Sequence, residues 1–288
     1  MFKQNKKMKN ISVLLLLLAL TNVVMAQKVN IVPTSTLKGP QGQVANAVVE
    51  LSRSAGFDIT PIQKGGCGEA VDYFENAKEP VAIVWSDTMI KNTKVSKQNC
   101  IINFDNASAI AVTYAPYDLC VLKGNKLEPN RTYKLGNNKF NPAATIRQEL
   151  NKNKMGINFL DVTYDSSSAS VNGLINKEID AAYTATGNAS AAIKAGSIDC
   201  LYTTGAVTYG QKTFNDFVGQ SDLNDYKLGM IVFTRNLSVD QVNKLRKSLQ
   251  KDWAKQLAQQ DMVGSKVAPD KADVENFINT ATRYATYD

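Results

Sequence analysis

The 288-residue chain contains no histidine. That absence excludes Ser-His-Asp and Cys-His nucleophile systems and His-ligated zinc and iron sites, leaving only carboxylate, Lys, Tyr or Ser-Lys chemistry open to it. Beyond its first 26 residues the chain has no Lys/Arg cluster interleaved with aromatics, so a nucleic-acid partner is not expected. It has no second long apolar run, so a membrane-inserted product is not expected either. Its four cysteines, Cys67, Cys100, Cys120 and Cys200, stand 33, 20 and 80 residues apart. Those spacings match no paired-cysteine zinc or redox motif. No metal and no cofactor are expected.

What is present begins with a leader. Lys3, Lys6, Lys7 and Lys9 precede the apolar run Ile11 to Leu20, and Val24-Met25-Ala26 places small residues where a signal peptidase needs them. Residues 1–26 therefore read as a signal peptide, and the mature chain is expected in the periplasm from near Gln27. No Cys sits at the cleavage point to carry a lipid anchor. Without the leader's four lysines, 29 Lys plus Arg face 26 Asp plus Glu, so the net charge falls from +7 to +3. Most of the basic bias is targeting. An even number of cysteines in an oxidising compartment permits disulfides. Cys67 with Cys100 is the first pairing to consider, and the alternative is that all four are small buried hydrophobes.

Along the mature chain, strand-like and helix-like patterns alternate. Val29 to Val32, Phe57 to Ile62 and Val81 to Trp85 read as strands, with helices through Val44 to Leu51 and Ala70 to Ala77 between them. Ala109 to Leu122 is a long β-rich stretch interrupted by Pro116, as expected where a chain passes from one lobe to another. A second βα series follows: Tyr133 to Leu135, a helix over Ala143 to Leu150, a strand ending at Val162 and Tyr164, a helix through Val171 to Ile175, Ile179 to Tyr183, a helix over Ala189 to Lys194 closed by Gly196, and Ile198 to Tyr202. Leu228 to Thr234 returns the chain to the first lobe. Ser238 caps a helix running to about Gln260, whose Val242, Leu245, Leu249, Trp253 and Leu257 form one apolar face for the core. A final helix starts at Pro269-Asp270.

Three loops share one form, in which an apolar strand ends, small polar residues follow, and a helix begins. They are Thr34 to Gly39, Gly136 to Asn141 and Asp165 to Ser170. Helix starts offer unpaired N–H groups and partial positive charge, so convergent N-termini can bind an anion without Arg. Ligands of open α/β sheets bind outside the carboxyl ends of the strands. The candidate binding residues are accordingly Thr34, Ser35, Thr36, Ser86, Asp87, Asn137, Asn141, Ser166, Ser167, Ser168 and Thr184. Asp180, inside a strand, is expected to anchor the backbone of a neighbouring loop. Ser35-Thr36-Leu37-Lys38 matches the Ser-x-x-Lys pattern of acyl enzymes, but no Lys-Thr-Gly or Ser-Asp-Asn partner exists and the pattern recurs at Ser248 to Lys251. Gly66-Cys67-Gly68 lacks the third Gly of a dinucleotide fingerprint.

The order of these segments resembles the receptors of tripartite tricarboxylate transporters. Val29 to Pro33 and the Pro40 helix resemble that family's opening strand, loop and first helix. Gly65 to Ala70 resembles its second glycine turn, and Val81 to Thr88 a strand ending in a Gly-Ser-Thr type loop. Val162-Thr163-Tyr164, the serine run, Gly173-Leu174-Ile175 and Glu178-Ile179-Asp180 follow in family order, and Ala191 to Gly196 matches its Ile-Lys-Ala-Gly turn closely. Gln41 stands where many relatives place Asp, and Asp165 where Lys is usual, which leaves open an amino-acid-like zwitterion, its amine facing Asp165 and Asp87, as the alternative to a di- or tricarboxylate. The resemblance implies an α/β, two-lobed type 2 periplasmic-binding-protein fold, each lobe a mostly parallel sheet flanked by helices with the ligand cleft between them. Lobe 1 is then residues 27–117 and 228–288, and lobe 2 residues 118–227. It implies a monomeric receptor with no catalytic residues that captures a small organic anion, a carboxylate, and delivers it to membrane permease subunits. The rival readings are a sensor of the same fold, a His-free enzyme with Ser35, Lys38 or Cys67 as nucleophile, and a non-binding structural protein.

Overall fold

The computed structural model describes residues 26–138, 156–205, 209–218 and 227–285. The expected signal peptide, Asn141 and the helix over 143–150 lie outside them, except for Ala26. Strand β1 (Gln27–Pro33) leads through a short loop into α1 (Pro40–Ser52), whose Pro40 occupies the first turn, where its missing N–H costs nothing. β2 (Phe57–Pro61), α2 (Cys67–Asn76), β3 (Val81–Ser86) and α3 (Thr88–Ser96) follow. β3 is buried at all six positions, which its unbroken Val-Ala-Ile-Val-Trp sequence suits.

β4 (Ser108–Leu122) is a single strand of 15 residues that takes part in two sheets. Its first half pairs antiparallel with β10 (Lys227–Arg235) and with β11 (Val263–Val267). Its second half pairs antiparallel with β7 (Ala181–Ala185) and β8 (Ile198–Thr203). The first sheet runs β2-β1-β3-β10-β4-β11. The second adds β5 (Thr132–Asn138), β6 (Asn158–Tyr164) and the two-residue β9 (Lys212–Thr213) in the order β6-β5-β7-β4-β8-β9. Helices α4 (Ser167–Ile175), α5 (Thr186–Lys194) and α6 (Phe214–Val218) belong to the second sheet's segment. α7 (Val239–Gln250), α8 (Trp253–Ala258) and α9 (Lys271–Tyr284) close the chain. The parallel pairs lie within the βα series, as expected. Each sheet is nonetheless more mixed than that alternation suggests, because β4 and β10 run against their neighbours.

One core passes through both sheets. Ala115, Tyr117, Leu119 and Val121, at alternate positions of β4, join Val44 and Val48 of α1 to Leu135, Tyr183 and Phe214. Satellite cores lie under α2 and α3, around Trp85 and Phe74, and under α4 and α5, around Leu174 and Ile198. The stripe Val242, Leu245, Leu249, Trp253 and Leu257 is buried in the main core, although the helix expected to run unbroken to Gln260 turns at Lys251 and Asp252. α3 and β11 were not foreseen, since Thr88 to Ser96 carries no clear apolar period and Val-Gly-Ser-Lys-Val is too short to read. Both pairs of cysteines are oxidised: Cys67 with Cys100 and Cys120 with Cys200.

Candidate functional site

The first sheet's loops are held by side chains that reach across the sequence. Gln63 accepts a hydrogen bond from the Leu37 N–H at 2.7 Å and donates to the Ser35 carbonyl at 3.0 Å, fixing the loop between β1 and α1. A hydroxyl and amide chain then runs from Ser35, which donates to Gln41 Oε1 at 2.6 Å, through Gln41 Nε2 to Ser86 Oγ at 3.2 Å and on to Thr88 Oγ1 at 2.9 Å. It ties the starts of α1 and α3 to the ends of β1 and β3. Gly42 makes this approach possible, for a Cβ there would stand 2.0 Å from the Leu37 carbonyl oxygen.

On the second sheet's side, Ser166 caps α4, accepting from the Ala169 N–H at 3.1 Å. Ser168 reaches Asn188 in the first turns of α5 at 3.4 Å. Between the two sides lies a cavity of about 620 Å³. It is walled by the starts of five helices: Gly39 to Gln41 of α1, Gly66 and Cys67 of α2, Thr88 and Met89 of α3, Ser166 to Ser168 of α4, and Ala185 and Asn188 of α5. Each helix start carries about half an elementary positive charge and unpaired N–H groups. Among the described residues, the charged side chains on the wall are Lys38, Lys64 and Asp165; no Arg is among them.

Thr34, Ser35, Thr36, Ser166, Ser167 and Ser168 line this cavity. Ser86, Asp87, Asn137 and Thr184 do not, though all four are buried. Ser86 is occupied between Gln41 and Thr88. Asp87 turns to β10, where its Oδ2 accepts from the Gly229 N–H at 2.7 Å. Burial pushes its carboxyl up to about 8, against the opposing effect of that N–H. Thr184 sits inside the second sheet opposite Asp118, whose carboxyl burial raises to about 6. Asn137 lies near the end of β5, with 5 % of its surface exposed. Asp180 lies just before β7, not inside it, and accepts from the Lys134 N–H at 2.7 Å, so it anchors the backbone of strand β5 where a loop was expected. Gln63, Asn92, Gln98 and Asn188 line the cavity without having been singled out. Their place depends on how helices and loops distant in sequence meet.

Among the described residues, the one grouping of metal-ligating side chains is Asp118 with Cys120 and Cys200, and both sulfurs are in the disulfide. Cys67 is likewise in a disulfide, so it offers no thiolate nucleophile. No helix of the described residues is long and apolar enough to cross a membrane.

Solved structures give the architecture its counterpart. The chain is similar to the periplasmic binding protein BugD, at 16% identity with a TM-score of 0.67, over 90% of this chain and 95% of that one. It has a two-lobed periplasmic-binding-protein fold. A TctC solute binding protein from Polaromonas is similar over 90% and 96% of the two chains, at 13% identity and a TM-score of 0.61. R. palustris Rpa4515 with adipate is similar over 90% and 97%, at 15% identity and a TM-score of 0.69. No protein-family model matches the sequence, and no curated protein sequence matches it significantly. Within this fold, the cavity stands at the strand ends where an open α/β sheet takes its ligand.

Proposed function

We propose that this protein is a periplasmic solute receptor of the tripartite tricarboxylate transporter type, which captures a small carboxylate and presents it to a membrane permease. The observation that carries the reading is the convergence of five helix starts on one cavity, whose charged side chains among the described residues are two lysines and one aspartate, a net positive wall without arginine. Such a wall stabilises an anion through backbone N–H groups and hydroxyls, and the serines and threonines of α4 and the β1 loop supply the latter. The similar R. palustris protein with adipate fits the same ligand class. We take residues 27–117 with 228–288 as one lobe and 118–227 as the other, joined through β4 and β10, with closure of the two over the ligand as the working motion. The protein acts as a monomer and catalyses no reaction. The Ser35 hydroxyl donates to an amide oxygen, which is no base, and this weighs against an acyl-enzyme role.

The test is a thermal-shift screen of the mature chain from Gln27 against di- and tricarboxylates, aromatic acids, acidic amino acids and phosphate. A ligand at 100 times its dissociation constant adds about 2.7 kcal/mol, which moves the midpoint by several degrees. A carboxylate shift that disappears when Ser166, Ser167 and Ser168 become Ala is the expected result. No shift with any compound, in folded protein stripped of bound ligand, removes the reading.

A further inference from the structure

Besides the crossing strands, the two proposed lobes meet beside the cavity. Gln260 and Asp261, in the turn that follows α8, face α5 and the segment before β9. A Cβ added at Gly187, in the first turn of α5, would stand 3.0 Å from the Gln260 carbonyl oxygen and 3.6 Å from Gln43 Oε1 of α1. The Tyr209 hydroxyl donates to the Asp261 carboxylate and lies 3.0 Å from each of its oxygens. Gln211 fixes Tyr209, its Oε1 accepting from the Tyr209 N–H at 2.7 Å, and Lys194 of α5 stands 6.0 Å from the centre of the tyrosine ring. Gly187 adjoins Asn188, and Gln43 lies two residues beyond Gln41; Asn188 and Gln41 both line the cavity. The contact therefore lies on the side of the hinge that closure brings together.

Asp261 is a costly choice for its position. Its φ is +58°, in the left-handed region that Gly enters freely and Asp only at some cost. It also stands just past the carbonyl end of α8, the negative end of a helix, where a carboxylate is disfavoured. Gly would remove both penalties and is the common residue where a helix ends in that conformation. An acidic residue set against two local preferences marks a position with a task beyond folding. The bond from Tyr209 is what the carboxylate supplies there and a Gly could not.

We infer that the Tyr209–Asp261 hydrogen bond is a latch on the closed receptor, so that these two residues set how long a carboxylate stays bound without touching it. The bond joins residues of different lobes, so its free energy adds to the arrangement in which the lobes are together and to no other. A ligand enclosed between the lobes leaves only after the latch opens. Neither residue lines the cavity, so loss of the latch leaves arrival of the ligand unchanged and speeds its departure. The inference rests on the proposed lobe division and on the carboxylate reading of the cavity.

Surface plasmon resonance of the mature chain with succinate, adipate, citrate, benzoate and glutamate, which reads both rates, tests it. For the acid that the wild type binds most tightly, Tyr209→Phe releases it about tenfold faster, the worth of one hydrogen bond to a charged group, with the association rate unchanged. Asp261→Gly releases it equally fast, although its thermal midpoint is no lower than that of the wild type. Asp261→Asn keeps an oxygen for the tyrosine hydroxyl and therefore keeps the slow release. The inference is overturned if Tyr209→Phe and Asp261→Gly release the acid at the wild-type rate, since the bond would then be absent from the bound form. Slower release overturns it too, since the bond would then belong to an open form. It is also overturned if Asp261→Gly loses affinity together with its thermal midpoint, since Asp261 would then serve the fold alone. In all these cases binding by the wild type leaves the carboxylate reading standing. Failure of all five acids to bind the folded wild-type chain, stripped of bound ligand, removes both.

Discussion

At the scale of single residues, Asp87 has the most to tell. The residue is joined to Gly229 twice, its carboxyl accepting from the N–H through Oδ2 while its backbone N–H donates to the Gly229 carbonyl at 3.0 Å. Burial moves it from the ordinary 3.8 to about 8, so at neutral pH the folded chain holds a proton that the unfolded chain has released. That contribution to stability is complete below about pH 4 and is lost as pH rises towards 8. Asp118, raised to about 6, acts with the same sign over a lower window. Asp87→Asn, which keeps an oxygen for the Gly229 N–H, is expected to match the wild type near pH 4 and to melt several degrees higher at pH 8. Midpoints measured at both pH values check this, and equal midpoints at pH 8 would refute it. The sequence placed Asp87 at a strand end but could not say which way its side chain turns. Thr184 was misjudged similarly: its strand runs on to Ala185, so the residue lies within the sheet opposite Asp118.

At the scale of elements, the loops that open α1, α2 and α4 were legible as polar or glycine-rich breaks after strands, whereas α3 was not foreseen and α4 and α5 begin earlier than their apolar residues suggest. The serine run expected to be loop as far as Ser170 is itself the first turn of α4, with Ser166 as its cap, and the loop after β1 reaches the cavity. Asn92 was not legible, because nothing in Thr-Met-Ile-Lys-Asn-Thr-Lys foretells a helix whose one face meets the start of α2. The role of Ser166 can be divided by substitution. Asp caps as well as Ser and suits the helix dipole, so Ser166→Asp is expected to leave stability within about 0.5 kcal/mol of the wild type or raise it. Its charge beside the anion lowers affinity for the best carboxylate of the thermal-shift screen at least tenfold. Ser166→Ala has the converse balance, losing about 1 kcal/mol of stability with the cap. Denaturant melts and titration of both variants decide it: equal affinity of Ser166→Asp and wild type would place the anion elsewhere.

At the scale of the whole molecule, β4 and the disulfides divide the labour of holding the protein together. The main core follows alternate residues of β4 from one sheet to the other. Each disulfide stays with one sheet: Cys67 and Cys100 beside the first, Cys120 and Cys200 on paired strands of the second. Removing the first, as Cys67→Ala with Cys100→Ala, frees a loop of 33 residues and is expected to cost roughly 3–4 kcal/mol, read from the denaturant midpoint. A loss below about 1 kcal/mol would mean that the Gln98 segment and α2 are held by their other contacts. The pairing also bears on biogenesis. The cysteines join first to second and third to fourth, so in a chain exported from its N-terminus Cys67 meets Cys100 before any other, and once those two are joined Cys200 is the only free partner left for Cys120. If the chain is exported as proposed, oxidation in order of arrival yields the native bonds, a route that calls for an oxidant and not for reshuffling of the sulfurs.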